Sequence, residues 1–130
     1  ASGDCGVVHG HYKFNNLLVD GDRVSGIVDW EFLHAGNPAA DLGWIHYSAE
    51  GICGCRPFLD LYANAGGFRL DPADLQYFIL LGQARLGVMT LQTEIGFNEG
   101  RFDDLKFGLS GALYTNKVLM RVSSLLEALA

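Results

Sequence analysis

Long apolar runs are missing from this sequence. No run reaches the roughly eighteen residues a transmembrane helix needs, and no secretory signal is visible. Basic residues are scarce too. Nine Lys and Arg stand against fifteen Asp and Glu, for a formal net charge of −6. The nine are spread without a cluster, so no nucleic-acid partner is expected. Cysteine is limited to Cys5, Cys53 and Cys55. An odd count without a secretory signal reads as reduced thiols in a cytoplasmic protein with no membrane partner, not as a disulfide framework. Repeats, low-complexity segments and linker-like runs are absent as well. With 49% hydrophobic and 18% charged residues in a chain of 130, the sequence reads as one globular domain, residues 1–130.

What is present divides at Trp30. Residues 5–9 read as a short strand. Residues 16–20 and 23–29 are apolar and β-branched, with Asp20-Gly21 between them as a hairpin signal. Beyond Trp30 the pattern turns helical for good. Asn37-Pro38 caps and opens a helix through about Ser48, and a second helix covers Pro57 to Ala65. Asp71-Pro72 repeats the device and starts a long helix to about Ile95. A last helix runs from near Phe102 to about Leu129, with Asp103 and Asp104 at its positive end. On the long helix Gln76, Gln83, Gly87, Thr90 and Glu94 form one narrow polar stripe. The rest of its circumference is largely apolar, so it should be mostly buried. Arg85, nearly opposite the stripe, should then find an acidic partner. Trp30, Trp44, Tyr47, Phe58, Phe78 and Phe107 read as core, and His34 and His46 as surface or satisfied histidines. The fold class is α+β, mostly α: a small β-hairpin unit (1–31) followed by about four helices (37–130).

The hairpin carries the chemistry. With the turn on Gly21-Asp22, residue 16 lies opposite 27 and residue 14 opposite 29. Asn16 and Asp29 become diagonal neighbours on one face, about 7–8 Å apart along the backbone. An amide oxygen and a carboxylate converging from there suit one hard cation, Mg²⁺ above all. A register change of one residue would put them on opposite faces.

His9-Gly10-His11 through Asn16 follows H-x-D-x-x-x-x-N, the catalytic loop of kinases, with His11 standing at the aspartate position. Asp29-Trp30-Glu31 follows the hairpin, and Asn37-Pro38-Ala39-Ala40-Asp41-Leu42-Gly43 opens the next helix. Over residues 7–44 this closely resembles the aminoglycoside phosphotransferase and choline kinase-like family; the later helices resemble it more loosely. The resemblance implies part of the C-terminal lobe of a kinase-like fold. It implies transfer of a phosphoryl group from ATP to a small-molecule hydroxyl, with Mg²⁺. By position, Asn16 and Asp29 would bind the metal, with Glu31 helping. His9 would brace the loop, His11 would occupy the catalytic position, and Asp41 would hold the loop backbone from the helix start.

Two departures bear on activity. His11 replaces the catalytic-base aspartate, and the nucleotide-binding lobe has no counterpart in these residues, so no nucleotide-contacting residue is assigned. The chain therefore reads as a lobe fragment, inactive in isolation and able to self-associate through the face such a lobe would cover. A kinase-like pseudoenzyme serving as a binding module is the alternative. A structural zinc site of His9, His11, Cys53 and Cys55 is the third reading, though C-x-C departs from the usual zinc spacing.

Overall fold

The computed structural model describes residues 5–127, apart from the side chains of Tyr47, Cys55 and Pro72, and its architecture is the expected mostly helical α+β. The chain forms two compact units, the first ending at Ile79 and the second beginning at Leu80.

In the first unit, strands β2 (Leu17–Asp20) and β3 (Arg23–Ile27) make the predicted hairpin. Asp20 pairs with Arg23, leaving Gly21 and Asp22 as the turn, with Gly21 at φ 61°. Strand β1 is Gly6–Val8, ending one residue before His9. The expectation of helix from Trp30 onward fails. A 3₁₀ turn, Trp30–Phe32, leads into a fourth strand, β4 (His34–Gly36), which pairs antiparallel with β1. Three residues are too few to show a period of two, but a lone β1 would leave its backbone groups without partners.

Helix α1 (Ala39–Ile52) is capped as the sequence indicates, Asn37 Oδ1 accepting the Ala39 N–H at 2.9 Å. It runs a turn past Ser48, because the residue that stops it is Gly54, in a positive-φ conformation at φ 78°. Helix α2 (Cys55–Asn64) therefore starts ahead of Pro57. The proline sits in its first turn, where a missing N–H costs no intrahelical bond. Helix α3 (Pro72–Asn98) opens on Asp71, whose Oδ1 accepts the Ala73 N–H at 2.8 Å.

Val8, Ala39, Leu42, Ile45 and Ala49 are buried together, the last three at the 3- and 4-residue spacing of one helix face. Trp44, Phe58 and Phe78 are half-buried. Trp30 departs from its expected core role: it is 44% exposed, its indole N–H donating to the Ile27 carbonyl at 2.7 Å.

The second unit contains the remainder of α3 and helix α4 (Leu105–Glu127). Helix α4 starts later than Phe102 because Asp104 acts as its cap, accepting the Lys106 N–H at 2.9 Å. The expected end at Leu129 lies outside the described residues. Phe107 and Arg85 are half-buried. The polar stripe of α3 turns inward. Gln83 and Thr90 are 6% and 7% exposed, while Leu81, Val88, Leu91 and Ile95 are exposed. Gly87 meets Val118, the Thr115 hydroxyl reaches Thr90, and Gly111 meets Glu94. Residue numbers rise along one helix as they fall along the other, which defines an antiparallel seam. Small side chains bring the two backbones close, so the expectation of a mostly buried helix fails: the stripe is buried and much of the apolar circumference is exposed.

Gly43 is the tight point of the first unit. A Cβ there would lie 2.5 Å from the Phe78 carbonyl carbon, whereas one on Gly51 would meet nothing within 4 Å. Gly43→Ala should lower unfolding stability by about 2 kcal/mol or more through overpacking. Gly51→Ala should raise it by about 0.5 kcal/mol by helix propensity. Denaturant midpoints of the two variants check both signs.

Candidate functional site

The site is built on the loop from His9 to Asn16, between β1 and β2, and is held from α1. Asp41, in the first turn of α1, accepts the His9 N–H on Oδ2 at 2.7 Å and the Gly10 N–H on Oδ1 at 2.9 Å. Both are charge-assisted bonds to a carboxylate favoured at a helix N-terminus. Between them the chain turns at Gly10, φ 80°, where a Cβ would come within 2.6 Å of the Phe32 carbonyl oxygen. Glycine is required on both counts.

His9 is 4% exposed, and both ring nitrogens are engaged. Nδ1 accepts the His11 N–H at 3.2 Å, so the ring proton is on Nε2 and donates to the Val28 carbonyl at 2.9 Å. The Trp30 ring lies over it at 4.4 Å. His9 thus ties the loop to the end of the hairpin.

Asn16 and Asp29 meet as expected, by a different route. A bulge at Leu18/Val19 shifts the register, so Leu17 faces Ile27, and Asn16 takes the Val28 N–H on its carbonyl at 2.9 Å. Alternation alone would then turn Asp29 away. Asp29 instead adopts the left-handed conformation, φ 69° and ψ 51°, at a cost of about 1–2 kcal/mol. It is the one non-glycine residue with positive φ among the described residues. Its side chain swings back, and Asn16 Nδ2 donates to Asp29 Oδ2 at 2.9 Å and to the His11 carbonyl at 2.9 Å. With the amide hydrogens used, the Asn16 amide oxygen is the atom left for a cation.

His11 faces the same carboxylate. Its Nδ1 lies 2.8 Å from Asp29 Oδ2, sealed from solvent yet off the line of a hydrogen bond. On the other side Lys13 Nζ donates to Nε2 at 2.9 Å. Phe32 and Trp44 stand edge-on to the ring. Burial lowers the His11 pKa from 6.5, and the Lys13 ammonium lowers it further, against the opposing charge and close side-chain contact of Asp29 and the charge of Glu31. The imidazole is therefore neutral at neutral pH. Lys13 is the participant that sequence reading missed; its signal is only a position two residues beyond His11.

His11, Asp29 and Glu31 bring their ligand atoms within 4.8 Å of one another, and they are the one such group of three among the described residues. A solvent-sealed imidazole nitrogen beside two carboxylates is a donor set that fits a divalent cation. The Cys₂His₂ alternative finds no such support. His9 has no free nitrogen, and Cys53 Sγ rests against the Ala49 and Gly54 carbonyls, each at 3.6 Å. The Cys55 side chain lies outside the described residues. His34 is at the surface, donating from Nδ1 to the Phe32 carbonyl, and His46 is half-buried. No helix among the described residues is long and apolar enough to cross a membrane.

Residues 1–77, which contain the whole of this site, match the model of the Phosphotransferase enzyme family, APH. No curated protein and no solved structure matches the chain.

Replacing Asp41 by Ala strands two loop N–H groups and should cost about 2–3 kcal/mol of stability in denaturant unfolding. Lys13→Met removes a cation beside His11, so the imidazole pKa should rise towards 6.5, read from the ring proton shifts in an NMR pH titration.

Proposed function

The chain belongs to the phosphotransferase enzyme family, and we propose that its first unit supplies the catalytic-loop and metal-binding part of an ATP-dependent transfer of a phosphoryl group to a small-molecule hydroxyl. The observation that carries this reading is the convergence of Asn16, Asp29 and His11, with Asn16 Nδ2 and His11 Nδ1 both within 3 Å of Asp29 Oδ2. In this proposal Asn16 and Asp29 hold Mg²⁺, which when bound with ATP offsets the phosphate charge. His9 and Asp41 keep the loop rigid, and Glu31 stands at the rim of the metal site. Such chemistry needs alignment and charge neutralisation more than covalent catalysis, which is what mutually bonded side chains anchored on buried His9 and Asn16 provide. These residues form part of the C-terminal lobe of a kinase-like fold, and the contacts to the nucleotide itself are assigned to no residue here. The identity of the acceptor is left at its chemical class, a hydroxyl.

One observation favours a second reading, a kinase-like binding module. The lone pair of neutral His11 is on Nε2 and is taken up by Lys13, while Nδ1 is turned to Asp29. A hydroxyl could pass its proton to His11 only by displacing Lys13.

Calorimetric titration of Mg²⁺ with ATP tests the proposal. Asp29→Ala should abolish binding, and His11→Asp, which restores a hard oxygen donor, should strengthen it by roughly tenfold. Equal binding by Asp29→Ala would overturn the metal assignment. Binding without phosphoryl transfer, with transfer gained in His11→Asp, would favour the binding module.

A further inference from the structure

We propose that His11 makes this a site for a first-row transition ion of the Zn²⁺ kind in preference to Mg²⁺, with His11 Nδ1, Asp29 and Glu31 as its protein ligands. This deepens the reading above, and depends on it for what the bound ion does rather than for whether the ion binds.

Three observations carry it. First, His11 Nδ1 and Asp29 Oδ2 are 2.8 Å apart without the alignment of a hydrogen bond. Two donors at about 2.1 Å from a tetrahedral ion are about 3.4 Å apart, so the pair need open by only about 0.6 Å to become adjacent ligands. Second, Nδ1 is sealed from solvent, and its one near polar neighbour, Asp29 Oδ2, is poorly aligned with it. A cation between the two groups would replace that misaligned contact by direct ligation of both. Third, Glu31 is exposed on the 3₁₀ turn and its carboxylate already falls within 4.8 Å of both others, so it can close on the ion without moving the backbone.

The donor types decide the ion. Mg²⁺ takes oxygen ligands and keeps its waters, whereas an imidazole with carboxylates suits zinc and its neighbours. Lys13 fits this scheme as the stand-in. While its ammonium donates to Nε2, the ring proton stays on Nδ1. When an ion takes Nδ1 that proton moves to Nε2, and the half-buried lysine must swing away.

The test uses the full chain with Cys5, Cys53 and Cys55 changed to Ser, so that thiols do not compete, titrated separately with Zn²⁺ and with Mg²⁺ and no nucleotide. The expected result is a Zn²⁺ preference that His11→Asp reduces by roughly 10–100-fold, with Mg²⁺ binding equal or tighter. A second readout needs no substitution at the site: the His11 ring signals should shift with Zn²⁺ and stay with Mg²⁺. Zn²⁺ binding with stationary His11 signals, or an unchanged preference in His11→Asp, would overturn the proposal and leave the phosphotransferase reading intact. Binding of neither ion by either chain would overturn both this proposal and the metal role of Asp29.

Discussion

Everything at this site hangs from the Asp41 carboxylate. It sits in the first turn of α1, where the helix end favours a negative charge, and it spends both oxygens on successive backbone N–H groups of the loop. That fixes the backbone at His9 and Gly10. The His9 ring, thus placed, reaches Val28 on one side and the His11 N–H on the other. Val28 is bonded in turn to Asn16 and precedes Asp29. Position is handed from a helix to a loop, then to a hairpin end, then to Asn16 and Asp29, the two residues proposed to hold a cation. No long element enters the site; a helix terminus does the work of one.

The members of this site were legible in the sequence because their spacing in the chain is itself the signal. Residues 9, 16, 29 and 41 stand where a kinase-like loop, a hairpin and a helix start require them. The geometry joining them was legible only in part. An ideal hairpin puts Asn16 and Asp29 on one face by simple alternation. The real one is bulged at Leu18/Val19, which alone would separate them, and Asp29 adopts a left-handed conformation, which alone would also separate them. The two departures offset each other. Neither a bulge between two apolar residues nor positive φ at an aspartate has a dependable sequence signature, since both are imposed by the surrounding bonds. Strand β4 was missed for a related reason: three residues carry no periodicity, and its existence follows from the need of β1 for a partner.

The long helix shows how a periodic signal can be assigned correctly and read with the wrong sign. Its stripe of Gln, Gly, Thr and Glu stands at the expected positions, but the helix expected to be mostly buried over its apolar circumference buries the stripe instead. Gly87, Gly108 and Gly111 allow an approach between helices that leucines would prevent, and the Thr90 and Thr115 hydroxyls can bond across the seam. Where two helices share a small unit, close backbone approach and satisfied hydroxyls can outweigh burial of larger side chains. The apolar residues are then left outside, as Leu81, Val88 and Leu91 are.

The exchange of an aspartate for His11 has a consequence for the integrity of the loop as well as its chemistry. A carboxylate at position 11 would stand against Asp29 and Glu31, and like charges so close raise one another's proton affinity or demand a cation between them. A neutral imidazole brings no charge to that contact. Its burial among Phe32, Trp44 and Asp29, and the ammonium of Lys13 beyond it, both favour the uncharged form. The loop can therefore hold its shape with no ion present. In the proposed transfer, what is given up is a permanent negative charge to draw a proton from an acceptor hydroxyl; what is gained is a nitrogen donor facing two carboxylates. The same substitution that weakens the case for a proton-abstracting residue strengthens the case for a metal-selective one, and both follow from the position of a single ring.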